Sequence, residues 1–90
     1  MMKIILSKSS EAFLNRLPEK HLQQILMRME DLAKNPPPLD QVALKGNLRN
    51  YGRISSGEYR IIFMIEDHNL KIVLVGKRND AEIYKMLKRK

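Results

Sequence analysis

Residues 51–84 read YGRISSGEYRIIFMIEDHNLKIVLVGKRNDAEIY, and this stretch decides the fold. Two apolar runs, Tyr59–Ile65 and Leu70–Val75, are separated by the polar residues 66–69, a pattern that predicts two antiparallel strands joined by a tight turn. Both runs are apolar at successive positions rather than at alternate ones. We therefore expect the two strands to lie centrally in the sheet, with both faces covered.

A second turn is predicted at Ser56-Gly57, because Gly57 supplies the positive φ that a two-residue hairpin loop requires. This turn joins the segment 51–55 to the strand that starts near Tyr59. The register that follows from it is Ser55 opposite Glu58, Ile54 opposite Tyr59, and Arg53 opposite Arg60. The antiparallel return of the last strand brings Gly76-Lys77-Arg78 to the same end of the sheet. Three arginines that are distant in sequence are thus expected at one edge.

Directly opposed like charges destabilise a sheet, so such a cluster is not explained by stability. An anionic ligand explains it. The net charge of +7 supports this interpretation, since residues 45–90 carry eleven Lys/Arg against five Asp/Glu, whereas residues 1–44 carry six against five. Nucleic acid is the partner that this balance favours, and a solvated basic face is the alternative.

The N-terminal half adds a strand and a helical hairpin. Lys3–Ser7 is β-prone, serines 7, 9 and 10 are N-cap candidates for a helix through Glu11–Leu17, and Pro18 separates this helix from a longer one. The longer helix carries an apolar stripe formed by Leu22, Ile25, Leu26, Met29, Leu32 and Ala33. The proline run 36–38 ends it. A connection, Leu39–Asn50, and a last helix, Ala81–Leu87, complete an α+β domain of the order β-α-α-β-β-β-α: a small antiparallel-rich sheet with an N-terminal α-hairpin on one face.

Length and composition limit the classes of function. Ninety residues make a single domain, 1–90, and the absence of cysteine excludes disulfides and thiolate metal sites. No segment has the length of a signal peptide or a transmembrane span, so a cytoplasmic protein without a membrane partner is expected. His21 and His68 are isolated and expected to be exposed, so neither a metal site nor another cofactor site is predicted.

The side chains that remain for chemistry are Arg53, Arg60, Lys77, Arg78 and Tyr84. A guanidinium matches a phosphate bidentately and stabilises the added charge of a phosphorane, and a tyrosine stacks on a base or transfers a proton. Metal-free RNA cleavage needs little more, because the 2′-OH of the substrate attacks its own neighbouring phosphate. Alternatively, Arg60 makes a structural ion pair and Tyr84 only packs.

With these residues in place, the chain resembles the RelE/ParE superfamily of type II toxins over essentially its whole length. The resemblance rests on Leu17-Pro18, Asn35-Pro36, Leu44-Lys45-Gly46, Arg53-Ile54, the segment GEYRIIF at 57–63, Gly76-Lys77-Arg78 and Ile83-Tyr84. The ending VGKR followed by IY points to the RelE branch, whose members cut mRNA in the ribosomal A site without a metal. The resemblance implies the RelE-like fold, and it implies a RelB-like antitoxin that docks an amphipathic helix and masks the basic site with acidic residues, in a complex that can be a heterotetramer.

The resemblance also implies roles for the residues. Arg60 would stabilise the phosphorane, Arg78 would act on the leaving group or the phosphate, Tyr84 would orient a base, and Arg53 would activate the 2′-OH or bind the backbone. Ser55 departs from the family pattern, because a second basic residue is expected there. The remaining candidates for contacts with RNA or the ribosome are Lys45, Arg49, Lys77, Lys85, Lys88 and Arg89. Two alternatives stay open: a ParE-like toxin that binds DNA gyrase, and a member that binds RNA or a partner without cleaving.

Overall fold

A computed structural model of the chain describes residues 1–36 and 51–77. Their elements are, in chain order, β1 (Lys3–Leu6), α1 (Lys8–Asn15), α2 (Glu19–Lys34), β2 (Gly52–Ser56), β3 (Tyr59–Glu66) and β4 (Asn69–Lys77). The predicted order β-α-α-β-β-β is confirmed. The predicted connection Leu39–Asn50 and last helix Ala81–Leu87 lie outside the described residues.

The strands form one mixed sheet in the order β1-β4-β3-β2. β1 runs parallel to β4, which requires the crossover that the two helices provide, and the pairs β4-β3 and β3-β2 are antiparallel. The helices cover one face and enclose the core, formed by Leu14, Ile25, Met29, Leu32, Ala33, Ile54, Tyr59, Ile61, Phe63, Leu70, Ile72 and Val75. Ile62 and Leu74 pair on the opposite face and are also buried, so the prediction that β3 and β4 are covered on both faces is confirmed.

α1 begins and ends earlier than the predicted Glu11–Leu17, and one of the three predicted N-cap candidates is confirmed. Ser7 is the N-cap: its hydroxyl accepts the backbone N–H of Ser10 at 3.1 Å, so the helix begins at Lys8. The same hydroxyl donates to the carbonyl of Val73 at 2.7 Å. The pairing of β4 with β3 is irregular at Val73, which has no register partner on β3. The Ser7 hydroxyl therefore supplies a hydrogen bond to a backbone carbonyl at this irregularity.

The predicted stripe of α2 is largely confirmed, since Ile25, Met29, Leu32 and Ala33 are buried against the sheet. Leu26 is the exception, with 36% of its surface exposed at the margin of the stripe. Leu26 lies one turn after Leu22 on the same side of α2. The buried part of the apolar stripe is therefore narrower than the sequence pattern predicts.

The turn between β2 and β3 corrects the predicted register. The loop is Gly57-Glu58 rather than Ser56-Gly57, so Ser56 pairs with Tyr59 and Ser55 pairs with Arg60. Gly57 has φ +60° in the first loop position, where glycine belongs in a type II′ turn, whereas the predicted register placed it second. The turn between β3 and β4 falls at Asp67-His68, inside the predicted segment, and both residues have positive φ.

Candidate functional site

The candidate site lies on the sheet face opposite the helices, at the β2–β3 hairpin. Arg53 and Ser55 are exposed there, while Gly52 and Ile54 alternate with them towards the core. Arg60 is half-buried and lies between its register partners, Ser55 on β2 and Gly76 on β4. We call the surface formed by Arg53, Ser55 and Arg60 the cationic face.

The corrected register changes which side chains are neighbours on this face. Arg53 pairs with Ile62, not with Arg60, so the two arginines are diagonal rather than directly opposed. This arrangement reduces their repulsion and leaves both on the same face, because the loop moved by one residue on each strand. Lys77 pairs with Tyr59, on the helix side, and the residue opposite Arg60 on β4 is the small Gly76. The strand end therefore returns to Arg60 as predicted, and the described residue opposite Arg60 is the buried Gly76.

The guanidinium of Arg60 is partly enclosed by the sheet. Its Nε atom is buried, whereas the residue as a whole is half-buried. A guanidinium has a planar fork of donors, and fixing its stem reduces the rotamer entropy that binding of an anion would cost. The exposed neighbours Ser55 and Arg53 add a hydroxyl and a second fork. The cationic face is thus suited to a phosphodiester.

The residue before Arg60 is anchored to the helices by contacts that the sequence did not indicate. Tyr59 is buried, its Oη lies 2.7 Å from Nδ1 of His21, and its ring packs edge-on against Phe13 with the centroids 6.0 Å apart. His21 is therefore half-buried and bonded, and its predicted exposure was wrong. Burial, and then the charge and hydrogen bonding of the Glu58 carboxylate, raise the pKa of Tyr59 above its ordinary value of 10.0. The phenol therefore keeps its proton at neutral pH.

A third arginine reaches the hairpin from α2. Nε of Arg28 donates to the backbone carbonyl of Ser55 at 3.2 Å, and Nη1 lies 3.6 Å from Oδ2 of Asp31. Sequence reasoning missed Arg28 because it stands among polar residues on a helix, 27 positions before Ser55, with no local pattern to link the two.

Seven of the other predicted site residues belong to parts of the chain other than 1–36 and 51–77. Lys45, Arg49, Arg78, Tyr84, Lys85, Lys88 and Arg89 lie outside the described residues. The structure therefore places Arg53 and Arg60 on the same face of the sheet and Lys77 on the opposite face. It also brings Arg28, which was not predicted, to the β2–β3 hairpin. Within residues 1–36 and 51–77, no three His, Cys, Asp or Glu side chains are grouped closely enough to hold a metal ion. No helix in this part of the chain is long and apolar enough to cross a membrane.

Comparisons with known proteins identify the family and the fold of the chain. The family model for the ParE toxin of type II toxin–antitoxin systems matches residues 4–82. No curated protein sequence matches the chain at a significant level.

Among solved structures, the isolated E. coli RelE toxin superimposes with a TM-score of 0.75 at 18% identity, covering 99% of this chain and 98% of that one. The RelBE2 toxin–antitoxin complex from Mycobacterium tuberculosis gives 0.71 at 23% identity, covering 88% and 93%. The archaeal RelE–RelB complex from Pyrococcus horikoshii gives 0.69 at 24%, covering 89% and 98%. At identities this low, the structural matches establish a shared fold alone. The family is established by the family model, which matches most of the chain. The chain therefore belongs to the RelE/ParE superfamily of type II toxins.

Proposed function

We propose that the chain is a RelE-type toxin, an endoribonuclease that cleaves mRNA in the ribosomal A site. The cationic face is the observation that carries this proposal: half-buried Arg60 lies beside exposed Ser55 and Arg53 on one face of the sheet. Guanidinium groups on one face of a sheet match the geometry and charge of a phosphodiester backbone. The RelE toxins among the structural neighbours supply a precedent for the fold.

The proposed reaction is an intramolecular transesterification. The 2′-oxygen of the nucleotide attacks the adjacent phosphorus and loses its proton, the bond from phosphorus to the 5′-oxygen breaks, and that oxygen takes up a proton. The products are a 2′,3′-cyclic phosphate and a 5′-hydroxyl. Arg60 contributes by stabilising the charge that develops on the non-bridging oxygens, a role that requires fixed donors more than acid–base chemistry.

The remaining roles are proposed from the family resemblance. Arg53 would bind the backbone and help to activate the 2′-OH, Arg78 would act on the leaving group, and Tyr84 would orient a base. Ser55 stands beside Arg60 but is a weak proton acceptor, so the rate would depend on proton transfer through water or ribosomal RNA. Lys45, Arg49, Lys77, Lys85, Lys88 and Arg89 would add salt-sensitive contacts to RNA.

A cognate antitoxin is part of the proposal. Two of the neighbours named above were solved as complexes with a RelB antitoxin. A RelB-like partner with acidic residues would neutralise the cationic face, and an amphipathic helix would supply apolar contact, in an assembly that can be a heterotetramer.

The second candidate is a ParE-like toxin that binds DNA gyrase. One observation favours it, because the family model that matches the chain is the one named for ParE. It predicts inhibition of gyrase-driven supercoiling and intact mRNA. It also predicts that Arg60 matters only as far as it contributes to binding.

Growth of cells that express the protein gives a test. Arg60→Ala should restore growth at an unchanged soluble level, since the variant lacks the donors that stabilise the phosphorane. Arg16→Ala is the matched control, because Arg16 is an exposed arginine at the C-cap of α1 whose guanidinium lies over the Phe13 ring. Cells expressing the control variant should stop growing like those with the wild type. Unchanged toxicity of Arg60→Ala would contradict the proposal.

A further inference from the structure

Arg28 is the strongest feature that the proposed function does not use. It lies on α2 with 44% of its side chain exposed, and its Nε donates to the carbonyl of Ser55. Among the described strands β2 forms an edge of the sheet, so this hydrogen bond places the guanidinium at the border of the cationic face. A guanidinium has five N–H donors, and only the one on Nε is used by Ser55.

Three arginines from three different elements thus lie near Ser55. Arg28 comes from α2 and touches Ser55 directly, Arg60 comes from β3 and is its register partner, and Arg53 stands two residues before it on β2. Register partners in an antiparallel pair have Cα atoms about 4.5–5.5 Å apart, so Arg60 and the carbonyl that holds Arg28 are close neighbours. Three guanidiniums at one place raise the local positive potential, which favours the binding of an anion.

The ion pair with Asp31 does not account for Arg28. The two side chains are 44% and 66% exposed, their closest atoms are 3.6 Å apart, and they stand at i and i+3 of one helix. Such exposed pairs contribute little to stability and are screened by salt. A phosphate can therefore take the place of the Asp31 carboxylate at little cost. An open groove of about 380 Å³, lined by Gln24, Met27, Arg28 and Asp31, gives a chain access to this side.

We propose that Arg28 binds a phosphate of the mRNA next to the one that faces Arg60. The mRNA backbone then runs from the cationic face across the edge of β2 towards α2. Arg28 supplies, from a helix, a cation beside position 55, where the strand itself carries serine. This inference rests on the proposed function, and it makes Arg28 a binding residue rather than a catalytic one.

The test measures binding to ribosomes programmed with an mRNA that carries 2′-O-methyl groups in the A-site codon and so is not cleaved. Arg28→Ala should raise Kd about tenfold at low salt and reduce the slope of log K against log salt by about 0.7, the value for one phosphate contact on a single strand. Arg16→Ala should leave both quantities unchanged. Asp31→Asn should leave the slope unchanged and should not weaken binding, since it removes the competing carboxylate.

Two further measurements separate the possible sources of the effect. With cleavable mRNA, Arg28→Ala should raise KM and leave kcat nearly unchanged, which a defect in folding or in catalysis would not do. With vacant ribosomes, which lack mRNA, wild type and Arg28→Ala should have the same salt slope. A slope difference that persists there would assign Arg28 to ribosomal RNA and overturn the proposal.

Other outcomes are equally decisive. If Arg28→Ala behaves like Arg16→Ala in the salt slope, Arg28 only covers a backbone carbonyl at the sheet edge and the inference fails while the proposed function stands. If the wild type does not bind programmed ribosomes, both fail together.

Discussion

Gly52 lies at the start of β2 with its Cα against the ring of Phe63, its register partner on β3. A Cβ at position 52 would stand 2.5 Å from Cζ of that ring and 2.9 Å from Cε1 and Cε2. The ring is fully buried, so it cannot move aside without displacing the core. Overpacking of this kind costs about 1–3 kcal/mol. Since the overlap involves a whole ring edge, we expect Gly52→Ala to fall in the upper part of this range.

A loss of about 2–3 kcal/mol should lower the Tm of a domain of this size by about 10–20 °C, measured by circular dichroism with urea unfolding as a second assay. Gly57→Ala is the matched control. It has φ +60° but no atom within 4 Å of its Cβ position, so it should cost only about 1 kcal/mol of backbone strain.

The double variant Gly52→Ala with Phe63→Leu should be more stable than the sum of the single effects predicts, because the smaller side chain makes room for the methyl group. A Gly52→Ala protein within about 0.5 kcal/mol of the wild type would refute the close contact, as would strict additivity of the pair.

Three more outcomes follow from side-chain contacts of Tyr59, Lys71 and Ser7. Tyr59→Phe should lower the Tm by about 5 °C, because it leaves Nδ1 of His21 without its partner, and His21→Ala in the same background should add little if that bond is what was lost. The free energy of unfolding should fall as the pH rises above about 10, because the folded state raises the pKa of Tyr59 above 10.0 and that of Lys71 above 10.5. Urea unfolding of the wild type and Tyr59→Phe at several pH values measures this dependence. An equal slope of stability against pH in both proteins would contradict the role of Tyr59. Ser7→Ala should cost about 1–2 kcal/mol, since it removes a helix cap and the donor to the Val73 carbonyl, and a change below about 0.5 kcal/mol would show that neither contact matters.

The rise in the pKa of Lys71 has a local cause. Its Nζ lies 2.6 Å from Oε1 of Glu66, which stabilises the charged amine through a hydrogen bond and through charge. A raised pKa means that the folded state holds the proton more tightly than the unfolded state. This contribution is therefore complete below the ordinary pKa of 10.5 and is lost only as the pH rises through the folded value.

The parts of the fold that depend on short-range patterns were predictable. The apolar runs of β3 and β4 and the polar turn between them follow from neighbouring residues, and so does the stripe of α2. The turn at Gly57 shows the limit. A glycine suits either loop position of a two-residue turn, and the choice between them moves the register of the whole hairpin.

The candidate site was predictable only where it follows from alternation along a strand. Arg53 and Arg60 were expected on one face, and they are, because moving the loop by one residue changes the register by two and preserves the faces. His21 with Tyr59 and Arg28 with Ser55 are contacts across 38 and 27 residues. Side chains that meet over such distances are brought together by the packing of α2 on the sheet, and no residue spacing encodes them.

Arg60 links the fold to the proposed activity. Tyr59 is buried among the helices, so strand alternation turns Arg60 to the opposite face, between Ser55 and Gly76. The anchor on one side of the sheet thus fixes the donor on the other.

Primer extension on a reporter mRNA in a translating extract tests the proposed activity of Arg60 directly. Wild-type protein should produce discrete cuts within A-site codons that disappear when ribosomes are removed, and Arg60→Ala at the same concentration should leave the mRNA intact. Intact mRNA with the wild type, together with inhibition of gyrase supercoiling, would contradict the proposal and identify a ParE-like toxin instead.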